Sequence, residues 1–193
     1  MIPSFERFLL TVRTARHFRA RQVWNRAQRA VTKRARPRRV AATWDVNRAR
    51  QACDALGGLG PVDEGDHVRT TAAGWRAGAL ELLGQRVEVA RSWREPWPTP
   101  LIEYHMHYHD ALADVAWAAR ESGNPALARD VAAGVQAWIA AWRGGGWPAW
   151  DPYPIAVRVV NWMRMLSWGA LDMADAAVID AFAAQLDVLV RDI

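Results

Sequence analysis

Residues 99–142 read TPLIEYHMHYHDALADVAWAARESGNPALARDVAAGVQAWIAAW, and this stretch carries the clearest helical grammar in the chain. Thr99 can cap a helix whose first position is Pro100, where a missing N–H costs nothing. Leu101, Tyr108, Leu112, Val115 and Ala119 recur at helical spacing, which predicts one helix from Thr99 to about Glu121. Ser122-Gly123-Asn124-Pro125 ends that helix and caps the next. The second helix carries the stripe Leu127, Val131, Val135, Trp138, Ile139 and Trp142, and so short a connection makes the pair an antiparallel hairpin.

Working outward, Gly144-Gly145-Gly146 and an aromatic, Pro-rich loop lead to a second hairpin. Its helices are predicted from Pro154 to Trp168 and from about Ala174 to the end of the chain. Two successive hairpins point to a toroid or solenoid of paired helices. Val178, Phe182, Leu186, Leu189 and Ile193 carry an apolar stripe into the last residue. That open stripe implies that the array continues in further chain. Upstream, Pro61 to Pro98 loses the helical period, and Leu80 to Val89 holds short extended pieces. Asp45 opens a short helix through Leu56, which Gly57-Gly58-Leu59-Gly60-Pro61 stops. A longer helix is drawn from Ser4 to Arg34, with Phe5, Phe8, Leu9, Val12, Val23, Trp24 and Val31 as its apolar side. The expected class is therefore all-α: an incomplete (α/α) toroid of antiparallel hairpins over residues 99–193. A short helix and irregular connector cover 41–98, and a basic helical arm covers 1–40.

Composition narrows the function. The chain has 193 residues, 51% of them hydrophobic, enough for a core. Charged residues interrupt its apolar runs well short of the roughly 18 residues that a membrane span needs. No export signal is visible in Met1 to Ala20, where Glu6, Arg7, Arg13, Arg16 and Arg19 intervene. The one cysteine, Cys53, excludes an internal disulfide and reads as a small core residue. Net charge is +5, but residues 1–40 hold twelve Arg or Lys against Glu6 alone, so the arm is +11 and the remainder −6. Such an arm fits a helix docked on the acidic body, a surface facing an acidic polymer, or contact with nucleic acid or an anionic membrane, and charge alone does not separate these. Nucleic acid is the weakest of the three.

Two clusters hold the candidate chemistry. Tyr104-His105-Met106-His107-Tyr108-His109-Asp110 lies in the first hairpin. Trp147-Pro148-Ala149-Trp150-Asp151-Pro152-Tyr153-Pro154 leads the second, followed by Arg158, Asn161 and Trp162. Equivalent ends of paired helices share one side of a toroid, so both clusters can line one cleft. His105 and His109 at i and i+4 with Asp110 have the spacing of metal ligands, but no second ligand cluster accompanies them, and no metal or cofactor is expected. Arg158 and Asn161 at i and i+3 make a charged fork beside an amide, suited to a carboxylate; the alternative is that Arg158 binds a helix C-terminus. Trp147, Trp150 and Tyr153 offer flat faces to a sugar ring. Twelve Trp is a large share, and Trp138, Trp142, Trp162 and Trp168 fall at core spacing.

The run Tyr104 to Asp110, followed some forty residues later by Trp150-Asp151-Pro152-Tyr153-Pro154-Ile155-Ala156-Val157-Arg158-Val159-Val160-Asn161-Trp162, resembles the N-terminal region of heparinase II/III-type polysaccharide lyases. Thr11-Val12-Arg13 and Arg21-Gln22 in the Arg-rich start fit the same family. The resemblance implies an (α/α) toroid followed by an antiparallel β-sandwich, and β-elimination on a uronic-acid polysaccharide. A base would take the C5 proton while a neutralised carboxylate makes it acidic. The family's Asn-His motif and its later Tyr and His have no counterpart here, so no catalytic residue is carried over and the chain alone is expected to be inactive. Substrate contact or cleft support then falls to His107, Tyr108, Trp150, Tyr153, Arg158 and Asn161. The expected partners are an acidic polysaccharide and the remaining toroid and β-sandwich of the same protein; the other possibility is a non-catalytic scaffold binding carbohydrate or protein. The resemblance implies a periplasmic or cell-envelope location, while the lack of a visible signal points to the cytoplasm.

Overall fold

A computed structural model describes residues 51–55, 60, 65–89 and 93–191. The basic arm, its resemblance motifs and Ile193 lie outside the described residues. Helices dominate, in keeping with the all-α class: α1 (Asp66–Arg76), α2 (Pro100–Tyr108), α3 (Asp110–Ser122), α4 (Pro125–Trp142), α5 (Pro152–Ser167) and α6 (Ala176–Arg191). The sheet content among the described residues is one hairpin, β1 (Ala79–Leu82) and β2 (Gln85–Glu88), antiparallel with Leu80 opposite Val87. The extended pieces expected at Leu80 to Val89 are these strands. Leu80 and Val87 face the core while Glu81 and Arg86 face solvent, the alternation of a half-buried ribbon. Leu83 and Gly84 both take positive φ in its two-residue turn, the primed geometry that matches strand twist.

The hairpin lies hard against α1. A Cβ placed on Gly74 would stand 2.6 Å from the carbonyl oxygen of Ala79, a backbone atom that cannot swing aside. Gly74→Ala is therefore expected to destabilise the protein by about 1–3 kcal/mol, although alanine is the better helix former by about 1 kcal/mol. A raised denaturation midpoint in the variant would contradict this packing.

α2 begins as its sequence dictates: Thr99 Oγ1 accepts a hydrogen bond from the Ile102 N–H at 3.2 Å, with Pro100 in the first turn. The single helix predicted to Glu121 is instead two. His109 takes the left-handed conformation (φ 62°, ψ 26°), ending α2 at Tyr108 and starting α3 at Asp110. Histidine is one of the few side chains that tolerate this region. This break rotates α2 relative to α3, so the stripe is not continuous. Tyr108, Leu112, Val115 and Ala119 are buried as expected, but Leu101 is 58% exposed and α2 buries Ile102 and Met106 in its place.

Beyond the break the predicted pattern is realised closely. Gly123 closes α3 in the left-handed conformation, and Asn124 Oδ1 accepts from the Ala126 N–H to start α4. All six stripe residues of α4, Leu127 to Trp142, are buried. α5 opens two residues earlier than Pro154, because Pro152 supplies its first position, and α6 opens at Ala176 because Asp175 Oδ1 accepts from the Ala177 and Val178 N–H groups. α5 packs against α2, α3 and α6, while α4 packs against α3 and α6. Val178 and Phe182 are buried and Leu186 and Leu189 partly so. Trp138 and Trp162, both almost fully buried, form the centre, each worth about 5 kcal/mol of apolar transfer before entropy is charged against it. Cys53 is buried as expected. Among the described residues, no helix is long and apolar enough to cross a membrane.

Candidate functional site

The end of α2 creates the need that organises the site. A helix leaves its last carbonyls without intrahelical donors, and here those carbonyls are buried. Arg158 and Asn161, one helical turn apart on α5, supply the donors. Arg158 donates through Nη1 to the His107 carbonyl (2.7 Å), through Nη2 to the Ala149 carbonyl (2.8 Å) and through Nε to Gln185 Oε1 on α6 (2.6 Å). Its guanidinium also lies 4.1 Å from the centre of the Trp138 ring. Asn161 Nδ2 donates to the Tyr108 carbonyl (3.0 Å) and to Asp110 Oδ1 (2.7 Å). One side chain thus joins α2, α5, α6 and the loop before α5.

Arg158 has no exposed surface, and burial draws its pKa down to about 9, so it remains a cation at neutral pH. It is solvated by carbonyl and amide dipoles and by an aromatic face rather than by a carboxylate. Its field, added to burial, keeps the adjacent imidazoles neutral. Burial first, then Arg158 and Arg94, pushes His107 down to about 3; burial, Arg158 and His107 hold His109 well below the ordinary histidine range. Each imidazole accepts through Nδ1 from an indole, His107 from Trp138 (3.1 Å) and His109 from Trp162 (2.9 Å). Those bonds assign the proton to Nε2 in both rings.

Above this brace lies a surface of aromatic rings. Tyr104 and Tyr108 stand one turn apart on α2. Trp147 meets Tyr104 edge-on at 5.9 Å between centroids, and Tyr153 meets Tyr108 edge-on at 5.6 Å. The outer pair is open to solvent, Trp147 by 52% and Tyr153 by 65%. Polar bonds fix the run: Trp147 Nε1 donates to the Tyr104 hydroxyl (3.1 Å), which donates to Asp151 Oδ2 (2.6 Å). Burial and then Asp151 raise the Tyr104 phenol to about 12, and burial, Tyr153 and Asp110 raise Tyr108 as well. Both shifts oppose ionisation, so neither phenol is prepared to act as a base near neutral pH.

The six residues singled out from sequence therefore divide. Tyr108 and Tyr153 meet in the ledge, Tyr108 as a largely covered ring and Tyr153 as an open one. His107, Arg158 and Asn161 are buried in the brace, which corrects the expectation that the Arg158 and Asn161 fork holds a substrate carboxylate. Helix-end carbonyls occupy those donors. Trp150 is half-buried, donates through Nε1 to the Trp142 carbonyl (2.8 Å) and stacks towards Trp138, so it supports the loop from within. Tyr104 was not singled out as a site residue, although its position four residues before Tyr108 on one helix was the available signal. Gln185 had no sequence signal at all. Among the described residues, no group of three or more His, Cys, Asp or Glu is placed to hold a metal ion.

Fold and site together define a helical protein in which Arg158 and Asn161 hold the buried end of α2 from within, while Trp147 and Tyr153 are open to solvent. No family model, curated protein or solved structure matches the chain.

Proposed function

We propose that this chain is the N-terminal, substrate-cleft segment of a polysaccharide lyase of the heparinase II/III type, its helical hairpins forming part of an (α/α) toroid. The two ring pairs Tyr104–Trp147 and Tyr108–Tyr153, whose outer members Trp147 and Tyr153 are open to solvent, support this reading most directly. Flat amphipathic rings on a rigid base suit the apolar faces of sugar rings, and the brace below keeps them in place without further ordering on binding. Elimination would depend on the remainder of such a protein. The ring pairs offer aromatic contact and two phenols with raised pKa, neither of them prepared to remove a C5 proton. The same observation favours a second reading, a carbohydrate-binding scaffold with no chemistry of its own.

Trp147→Ala is expected to lower affinity for a bound oligosaccharide about tenfold while changing unfolding free energy by less than about 1 kcal/mol, because the ring is half open to solvent. Calorimetric titration and a denaturation curve on the same samples test both halves. No glycan affinity in the parent chain would refute the carbohydrate reading. A rise in unsaturated-uronate absorbance with the purified chain would refute the division of labour between this segment and the rest.

A further inference from the structure

Donors without acceptors gather where α2 gives way to α3. A recess of about 20 Å³ opens there, with Trp75, Leu82 and Trp93 on one side and His109, Asp110, Ala111 and Leu112 on the other. An apolar cavity that takes benzene is about 150 Å³, so this one suits a ligand of atomic size. No side chain caps α3, and its first N–H groups have no intrahelical carbonyl to bond, which leaves a partial positive charge at that end. His109, 2% exposed, adds a side-chain donor. Its Nδ1 accepts from the Trp162 indole, so the proton sits on Nε2 at the far edge of the ring, and that group is buried with no partner. The ring lies against Trp93, a wall of the recess. A buried donor without an acceptor is costly, so the recess favours an acceptor; it does not favour a metal ion, because Nε2 offers a proton and not a lone pair.

Charge selects among acceptors. Arg158 is wholly buried and its three nitrogens donate to neutral oxygens, so its charge is screened by dipoles alone. It lies close enough for its field, second to burial, to bear on the His109 imidazole. Among the described residues lining the recess, Asp110 is the one carboxylate; it is exposed, and its Oδ1 accepts from Asn161 at 2.7 Å. We infer that the recess at the start of α3 is a binding site for a monatomic anion of the chloride class, held by His109 Nε2–H and the first backbone N–H groups of α3. The anion compensates the buried guanidinium across the imidazole and fixes the left-handed break that sets α2 against α3. This inference is independent of the carbohydrate reading.

The test follows the thermal midpoint of the full chain at neutral pH and constant ionic strength while sodium chloride replaces sodium gluconate, whose anion is too large for the recess. Chloride is expected to raise the midpoint saturably, by about 3–6 °C at ten times its dissociation constant. Asp110→Asn keeps the acceptor for Asn161 and removes a like charge, so it should lower the half-effect concentration several-fold. His109→Asn tolerates the left-handed backbone but shortens the side chain away from the recess, and should weaken the chloride response about tenfold or more. Each variant is compared with itself in gluconate, so a general loss of stability does not enter the readout. Crystals grown in bromide should show an anomalous peak beside His109 Nε2. Equal midpoints in the two salts would overturn the inference, as would a response that rises without saturating or that survives His109→Asn unchanged. Should His109→Asn not fold, an unaltered half-effect concentration in Asp110→Asn would overturn it alone.

Discussion

Replacing Arg158 by methionine is expected to cost at least about 3 kcal/mol of stability, a large share of the roughly 5–15 kcal/mol that a domain possesses. The direction is not obvious, since exchanging buried charges for apolar groups is often neutral or stabilising: a desolvation penalty of several kcal/mol is relieved. Here the partners decide. The acceptors left behind are the carbonyls of His107 and Ala149 and the amide oxygen of Gln185, and the two carbonyls belong to the backbone and cannot be substituted away. Each stranded buried acceptor costs about 1–3 kcal/mol, and the contact with the Trp138 face adds up to about 2. Those losses exceed the relief. A thermal scan should show the midpoint falling by about 10 °C, at roughly 2–4 °C per kcal/mol for a domain of this size.

Arg158→Lys is expected to rescue little, because an ammonium cannot reach acceptors on three separate elements from one planar fork. The lysine variant therefore separates geometry from charge. Near-parent stability for lysine, with methionine destabilised, would mean that the charge matters and the fork does not. Near-parent stability for methionine would remove the brace from the account of how α2, α5 and α6 are held together. Gln185→Leu, which strands only the Nε donor, should fall between the parent and the methionine variant.

These expectations also mark where the sequence stops being legible. The stripe of α4 could be read because six apolar residues repeat over 18 positions bounded by Asn124-Pro125 and a glycine run, and one helix face satisfies them all. The break at His109 could not, since no Gly, Pro or Asn announces it and the preference for a left-handed residue comes from tertiary contacts. Trp93, Trp138 and Trp162 surround the imidazole, and the indole of Trp162 bonds it from 53 residues away. Missing that break misplaced Leu101, which a straight helix would have buried. The i, i+3 pairing of Arg158 and Asn161 was visible, but its meaning depended on whether a carboxylate or a helix end lay opposite. Only the fold brings the carbonyls of residues 107 and 108 there. Clusters of residues were thus readable from local spacing, whereas their allocation to surface or interior was not.

The same buried imidazoles should make the protein acid-labile above the range where carboxylates titrate. His107 has a folded pKa near 3 against about 6.5 when unfolded, so between those values the unfolded chain binds the extra proton. Stability is then complete above pH 6.5 and declines as pH falls towards 3. At pH 5 the loss from His107 alone is about 2 kcal/mol, at 1.36 kcal/mol per unit of proton linkage. His109, depressed in the same direction by burial and by Arg158, adds to it. Protonation would also place a second cation beside Arg158 and remove the Nδ1 acceptor from the Trp138 indole, so each consequence works against the folded state. Denaturant midpoints taken at pH 8, 6 and 5 should fall steadily, with most carboxylates still ionised throughout. His107→Asn, whose side-chain oxygen can replace Nδ1 as the indole's acceptor without titrating, should flatten the decline by about 2 kcal/mol at pH 5 while leaving the contribution of His109. A parent protein equally stable at pH 8 and pH 5 would mean that these rings reach solvent and take up their protons freely, which is incompatible with the sealed brace on which the ledge rests.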